Sequence, residues 1–399
     1  MKTEKKRQLL MISIIDTFFF VSIIVQQFAG QYLRFQITPT IAFHSFDLTL
    51  FLWILISFFL HFNEIKQTLL KIFSRIKKIE KIWLIWLLLV TAIGLIRYGF
   101  QINQALYIYR ICSYILFAIL ISISNICLIR KNKQIIAKKI IIISYGAGHL
   151  LLGLAQYLFK PNTLFIGEYG WDYHYYRLIG TILDPSYTGI IIILTYIFLT
   201  SLKKAQKLQL VKNIYVLIAI AVALTFSRAS YLAFGIVLIT QIYFSLKNKQ
   251  KIGKYIWLFL IMVISIALAP KPGGEGVNLQ RTSTITARLT SSKNIIGELS
   301  GIDWIIGKGF YYTNPPNYLD KAFHASMPDN FFIMITKFFG ITGLILTMTI
   351  MLKRWKSILK NNQTIFLALL AILIHSQFNN TLLQPYVFTL LMGGMAGWM

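Results

Sequence analysis

Long apolar runs recur along the whole chain, at about 9–30, 46–62, 82–99, 106–129, 140–159, 178–201, 213–227, 229–246, 255–269, 329–352, 364–378 and 381–398. A helix of roughly 20 apolar residues crosses a hydrocarbon core of about 30 Å. The pattern therefore predicts an all-α polytopic membrane protein with about twelve transmembrane helices in a single integral membrane domain, 1–399. One long polar stretch interrupts it, from Pro270 to Pro328, and predicts one large loop, 270–328, between two helices. A shorter segment, Ile65–Lys81, sets Ile65, Leu69, Phe73 and Ile76 on one helical face with lysines elsewhere, the pattern of an amphipathic helix lying on anionic lipid.

Composition agrees with the pattern. Of 399 residues, 56% are hydrophobic and 13% charged, with a mean hydropathy of +0.65, whereas soluble domains average about 25% charged. A formal charge of +27 would point a soluble protein toward nucleic acid, but here its distribution argues for topology and no nucleic-acid partner. With the N-terminus in the cytoplasm, 27 of the 40 lysines and arginines fall in the N-terminal segment and in 63–81, 130–139, 202–212, 247–254 and 353–360. Those are the connections on one side, as the positive-inside rule requires. Asp47, Glu168, Asp172, Glu275, Glu298, Asp303 and Asp320 fall on the other. Both termini are thus expected in the cytoplasm and the 270–328 loop outside it. The first run follows Lys2, Lys5, Lys6 and Arg7 as a signal peptide would, but its length, Asp16 and the lack of a small-residue cleavage site favour an uncleaved helix. Cys112 and Cys127 lie in one run, about 22 Å apart if helical, beyond disulfide reach.

Basic residues on the outer side run against topology and need a reason. Arg177 stands where the 160–177 loop meets the next run, and Arg228 in the outer turn Thr225-Phe-Ser-Arg-Ala-Ser230. Both share a surface with Arg281 and Arg288 of the large loop. Arginine at membrane depth costs about 2.5–3.5 kcal/mol on insertion scales. Snorkelling from a helix end is one explanation; a phosphate clamp of planar, always-charged, bidentate guanidinium groups is the other. Asp184-Pro185 inside an apolar run reads as a kink, with Asp184 two helical turns from Arg177 and placed to orient it. His324 is a candidate base; Asp329 is the natural N-cap of the following helix, with Asn330 beside it. Tyr311 and Tyr312 add ring surface to the loop and are expected to bind substrate. The stretch Glu168-Tyr-Gly-Trp-Asp-Tyr-His-Tyr-Tyr176 suits sugar stacking or the interfacial belt better than a metal. No metal site or cofactor motif is read anywhere.

In order along 140–350, these elements resemble the O-antigen ligase and polymerase superfamily of bacterial membrane glycosyltransferases (WaaL-like ligases, Wzy-type polymerases). The resemblance rests on Arg177-x-x-Gly180 with Asp184-Pro185-Ser186, on Thr225-x-Ser227-Arg228-Ala229, and on a loop carrying Arg288 and Ile306-Gly-Lys-Gly-Phe310 before a helix with Gly340-Ile-Thr-Gly-Leu344. It implies a GT-C-like helical fold in the bacterial cytoplasmic membrane and a metal-independent, inverting transfer of sugar chains. The implied partners are an undecaprenyl-diphosphate-linked glycan donor and acceptor and membrane lipid, with room for a chain-length regulator protein and no cofactor. By motif position Arg177 and Arg228 would hold the diphosphate, Arg288 would assist, and His324 or Asp329 would be the base. Ligases of the family open the later helix with histidine–asparagine; Asp329-Asn330 stands here instead and fits a polymerase of O-antigen, capsule or exopolysaccharide units better. The rival readings are a ligase passing finished glycan to a final acceptor and a transporter of the same lipid-linked units. A transporter would carry paired charges deep in its helices, whereas the deep charges here are few, Asp16 and Lys337 among them, and polar chemistry gathers in one outer loop.

Overall fold

The computed structural model describes residues 2–38, 41–124, 131–169, 174–202, 209–273, 276–312 and 327–398. Each apolar run forms one helix: α1 (Lys2–Ala29), α2 (Ser45–Leu60), α4 (Lys78–Tyr98), α5 (Ile102–Ile123), α6 (Lys131–Phe159), α7 (Pro185–Thr200), α8 (Gln209–Leu224), α9 (Arg228–Lys247), α10 (Gly253–Leu268), α13 (Phe331–Asn361), α14 (Gln363–His375) and α15 (Pro385–Trp398). The amphipathic segment forms α3 (Phe62–Arg75), and the large loop contains α11 (Ser283–Gly297) and α12 (Asp303–Ile306). Among the described residues, 6 helices are long and apolar enough to cross a membrane: α1, α4, α5, α6, α9 and α13. The pair α2–α3, bent by 100°, adds a further span if taken as one. α7, α8, α10, α14 and α15 are apolar but shorter.

One element departs from the all-helical expectation. Between α1 and α2, β1 (Arg34–Thr38) pairs antiparallel with β2 (Ile41–His44). Phe35, Ile37, Thr38, Ile41 and Phe43 are aromatic or β-branched, which favours extended backbone over helix. Arg110 of α5 holds this hairpin down, donating Nη2 to the Ala42 carbonyl at 2.7 Å and to Asp47 Oδ2 at 3.0 Å.

The burial pattern sorts the helices by depth. Every residue from Thr188 to Leu199 of α7 is buried, and a helix apolar on all sides belongs at the centre. α7 packs on α6, α8, α9, α14 and α15. By contrast α4 packs mainly on α13, and Leu88 and Ile96 stand 73% and 84% exposed. Large apolar side chains left bare on many helices fit a hydrocarbon surround, not water.

α7 begins at Pro185 and is not kinked by it. Asp184 is its N-cap, accepting from Ser186 N and Tyr187 N at 2.7 and 2.9 Å, and proline at the first helical position needs no N–H partner. Residues 178–184 run irregularly, with a 3-10 turn at Gly180–Ile182 and Leu183 left-handed at φ 58°. No helical face therefore joins Arg177 to Asp184, and the expected ion pair between them is absent; the two interact only at longer range.

α13 does break. Gly340 sits at φ 68°, ψ −177°, a region open in practice only to glycine. The break frees carbonyls in an apolar setting, where each must find a donor. Lys337 O accepts from Lys308 N at 2.9 Å, Phe338 O from Gly309 N at 3.0 Å, and Phe339 O from Trp86 Nε1 at 3.1 Å. The large loop is thus stitched backbone to backbone into the broken helix, and the fit is close: a Cβ on Gly340 would lie 2.1 Å from Ile305 O. Gly340→Ala is expected to destabilise the detergent-purified protein by about 3 kcal/mol or more, through strain and overpacking. Gly235→Ala in α9, where a Cβ meets nothing within 4 Å, is expected to be neutral or slightly stabilising. Thermal unfolding of the two variants side by side checks both.

Candidate functional site

α7, α9 and α13 all begin at the same end of the bundle, capped by Asp184, Ser227 and Asn330. Helix N-termini carry partial positive charge. Four arginines join them there: Arg177 before α7, Arg228 at the first position of α9, and Arg281 and Arg288 from the large loop.

Arg177 is placed by the turn that joins α8 to α9. α8 ends at Leu224, and Phe226 is left-handed at φ 48°, so the last carbonyls of α8 have no partner one turn on. Leu178 N takes Leu224 O at 2.9 Å. The Arg177 side chain donates Nε to Thr225 O at 2.9 Å and Nη2 to Phe226 O at 3.2 Å, and only 7% of the residue is exposed. Arg228 donates Nη1 to Arg281 O at 3.0 Å and Nη2 to Thr284 Oγ1 at 2.7 Å, tying α9 to the loop. Arg281 returns along the same stretch and donates to Gly276 O. Val277 packs on Phe226 and Ala269 below it.

Carbonyls satisfy a guanidinium's geometry without cancelling its charge. Among the described residues no carboxylate pairs with Arg177 or Arg228. Arg110 shows the contrast: its Nε and Nη2 lie 3.1 and 3.0 Å from Asp47 Oδ2, as a purely structural buried arginine is expected to do. Burial draws Arg177 down to about 10, Arg281 adds to the fall, Asp184 opposes it and Arg288 adds again. The group therefore stays cationic at neutral pH. Guanidinium charge without a carboxylate partner beside three helix N-termini is chemistry that can receive an anion.

Arg288 forms the other edge. Its Nε lies 3.3 Å from Asp329 Oδ2, and its Nη2 donates to Asn379 Oδ1 at 3.0 Å. Asn330, not Asp329, caps α13, accepting from Phe332 N and Ile333 N at 2.9 and 3.3 Å. That leaves the Asp329 carboxylate for Arg288. The cap expected of Asp329 is thus taken by its neighbour, because one residue on is where Oδ1 faces the free N–H groups.

The structure also brings in residues that local pattern did not mark. The connection from α14 to α15 supplies Asn379 on Arg288 and Asn380, which accepts from the Tyr187 hydroxyl. Beneath them His375 contacts Thr381 Oγ1 at 2.6 Å and Ser230 Oγ at 3.4 Å; Ser230 reaches Ser227 at 3.0 Å, and Ser227 reaches Ser186 at 3.1 Å. This chain of buried hydroxyls locks three helix ends together. Two adjacent asparagines between apolar runs were the available signal, since buried amides have to be bonded.

Tyr311 and Tyr312 go elsewhere. Each is 7% exposed. Tyr311 stacks on Tyr107 with ring centroids 3.5 Å apart, and Tyr312 lies against Tyr98 at 4.6 Å, where they pack the loop onto α5 and α4. Asp303 of α12 strengthens that anchor, accepting from Arg97 Nη1 at 2.6 Å and the Tyr98 hydroxyl at 2.8 Å. The two charges expected to be deep are both partnered: Asp16 by His61 at 3.1 Å, Lys337 by Glu298 at 3.4 Å. His324, the other candidate base, and Asp172 lie outside the described residues. Among the described residues no three His, Cys, Asp or Glu side chains converge as a metal would need.

No family model, curated protein or solved structure matches the chain. The division of labour at 329–330 is directly testable. Asn330→Ala is expected to cost about 1 kcal/mol of stability through loss of the cap, whereas Asp329→Ala leaves the helix start intact and stability within about 0.5 kcal/mol. Denaturation of both variants in the same detergent distinguishes them.

Proposed function

We propose that the chain is a polymerase of undecaprenyl-diphosphate-linked oligosaccharide repeat units (O-antigen, capsule or exopolysaccharide) in the bacterial cytoplasmic membrane. The observation that carries this reading is the arginine rim: Arg177 and Arg228 are held by carbonyls and a hydroxyl, with no carboxylate partner among the described residues, and stand where three helices begin. A diphosphate is an anion that several guanidinium groups beside helix N-termini suit. In this reading all twelve apolar helices span the membrane, the termini are cytoplasmic, the rim faces outward, and α3 lies on the inner leaflet.

The proposed step is an inverting, metal-independent transfer, as in the superfamily the motifs resemble. An acceptor sugar hydroxyl attacks the anomeric carbon of the donor glycan as the bond to the diphosphate oxygen breaks. The leaving diphosphate gathers negative charge, and the arginines meet it there. The hydroxyl proton goes to a base, His324 or Asp329. Asp329 is ion-paired to Arg288 at 3.3 Å, so it is freed for that role if Arg288 turns to the phosphate.

Arg177→Ala and Arg228→Ala are expected to lower chain extension at least about 100-fold, the scale of losing one donor to developing charge, while membrane insertion stays normal. Purified protein in nanodiscs with a lipid-linked repeat unit reads this directly. A ladder of products without a second acceptor supports polymerase chemistry. A product formed only when another lipid or protein acceptor is added means a ligase, and normal polymer length in both variants overturns the arginine assignment.

A further inference from the structure

The geometry points to Asn379 as a substrate-contacting residue of this site, its side-chain amide donating to an oxygen of the bound glycan. The inference rests on the reading of the rim as the seat of a lipid diphosphate, and it adds a wall that neither motif nor topology marked.

Asn379 is 8% exposed, and its side chain is oriented without ambiguity. Arg288 Nη2 is a donor, so the atom facing it at 3.0 Å must be the amide oxygen. The amide nitrogen Nδ2 is then left buried with no partner among the described residues. A buried donor without an acceptor is costly and uncommon in folded proteins, and such groups call for an explanation.

The backbone around Asn379 leaves it little freedom to turn the nitrogen elsewhere. Its N–H donates to His375 O at 3.2 Å, and its carbonyl accepts from Thr381 N at 2.7 Å and Thr381 Oγ1 at 3.2 Å. On one side Asn330 Nδ2 binds Gln377 O at 3.3 Å, and Phe331 N donates to Ser376 O at 2.8 Å. On the other side Asn380 holds the Tyr187 hydroxyl. The turn is braced to α13 and α7 at once, which presents the amide in a fixed position.

What covers it is the loosest pair in the rim: the Arg288 and Asp329 side chains are 37% and 41% exposed. When Arg288 swings from Asn379 to a phosphate oxygen, both polar atoms of the amide become available together. An amide N–H donor with its own carbonyl acceptor is a pairing that recognises a sugar hydroxyl, one atom taking each role of the hydroxyl. The same N–H could meet a phosphate oxygen, and the test separates these two sources.

Full-length protein in nanodiscs is assayed two ways: binding of undecaprenyl diphosphate alone, and chain extension with the lipid-linked repeat unit extracted from the source cells. Asn379→Ala is expected to raise the repeat-unit KM about five- to tenfold, as for one lost hydrogen bond. Undecaprenyl diphosphate binding should stay within about twofold, and the melting temperature should hold in Asn379→Asp, which keeps an oxygen for Arg288 and loses only the unpartnered donor. Asn379→Asp keeps an oxygen for Arg288 but lacks the donor, and is expected to show the same rise in KM. Three results overturn the inference: Asn379→Asp with a wild-type KM, which leaves only the Arg288 contact mattering; Asn379→Ala weakening undecaprenyl diphosphate binding as much as extension, which moves the amide to phosphate; or a lowered melting temperature with KM unchanged. Arg177→Ala serves as the separate check on the rim, since undecaprenyl diphosphate binding that survives it removes the parent reading whatever Asn379 does.

Discussion

A backbone carbonyl freed in an apolar setting has to be given a donor, and that single requirement organises this molecule. It arises twice. At the break in α13 the carbonyls of Lys337, Phe338 and Phe339 are answered by Lys308 N, Gly309 N and Trp86 Nε1. At the end of α8 the carbonyls of Leu224, Thr225 and Phe226 are answered by Leu178 N and the Arg177 side chain. The first stitch fixes the large loop to the bundle. The second buries a cation at the start of α7. Both follow from glycine or left-handed backbone at the break, and both place candidate chemistry where water does not reach freely.

The second stitch has an electrostatic consequence. Neutral partners leave the Arg177 charge intact, and Arg281 and Arg288 stand close enough to push against it. Arg110 with Asp47 and Lys337 with Glu298 show buried cations set against a carboxylate. Arg177 is instead held by carbonyls, and a buried charge left without a counter-ion costs stability that an anionic ligand would restore. The hydroxyl chain from His375 to Ser186 then reads as the scaffold that keeps α7, α9 and the 376–384 connection in register beneath that ligand.

How much of this was legible beforehand follows physical lines. Helix positions were, because apolar runs have the length and period of helices; even the short run at 364–378 became α14. Arg177, Arg228 and Arg288 could be singled out, because basic residues on the side expected to be starved of charge stand out; that they gather where helices begin could not be read. Local geometry was harder. Asp184-Pro185 has the composition of a kink and of a helix start, and the backbone chose the start. Asp329-Asn330 offers two caps, and the choice of Asn330 depends on one residue of register. Contacts between distant parts of the chain were out of reach: nothing local ties Asn379 to Arg288, Asp303 to Arg97 or Tyr311 to Tyr107. The burial of Tyr311 and Tyr312 was out of reach for the same reason, since their packing partners Tyr107 and Tyr98 lie far away in the chain.

The account stands or falls on what the arginine rim holds. The most direct measurement is the structure of the full-length protein in a lipid nanodisc with undecaprenyl diphosphate bound. The account predicts diphosphate density within hydrogen-bond reach of Arg177 and Arg228, with Arg288 turned away from Asp329 toward it. Density seated at the opposite end of the bundle, or a rim that stays empty while the lipid is bound elsewhere, would contradict it.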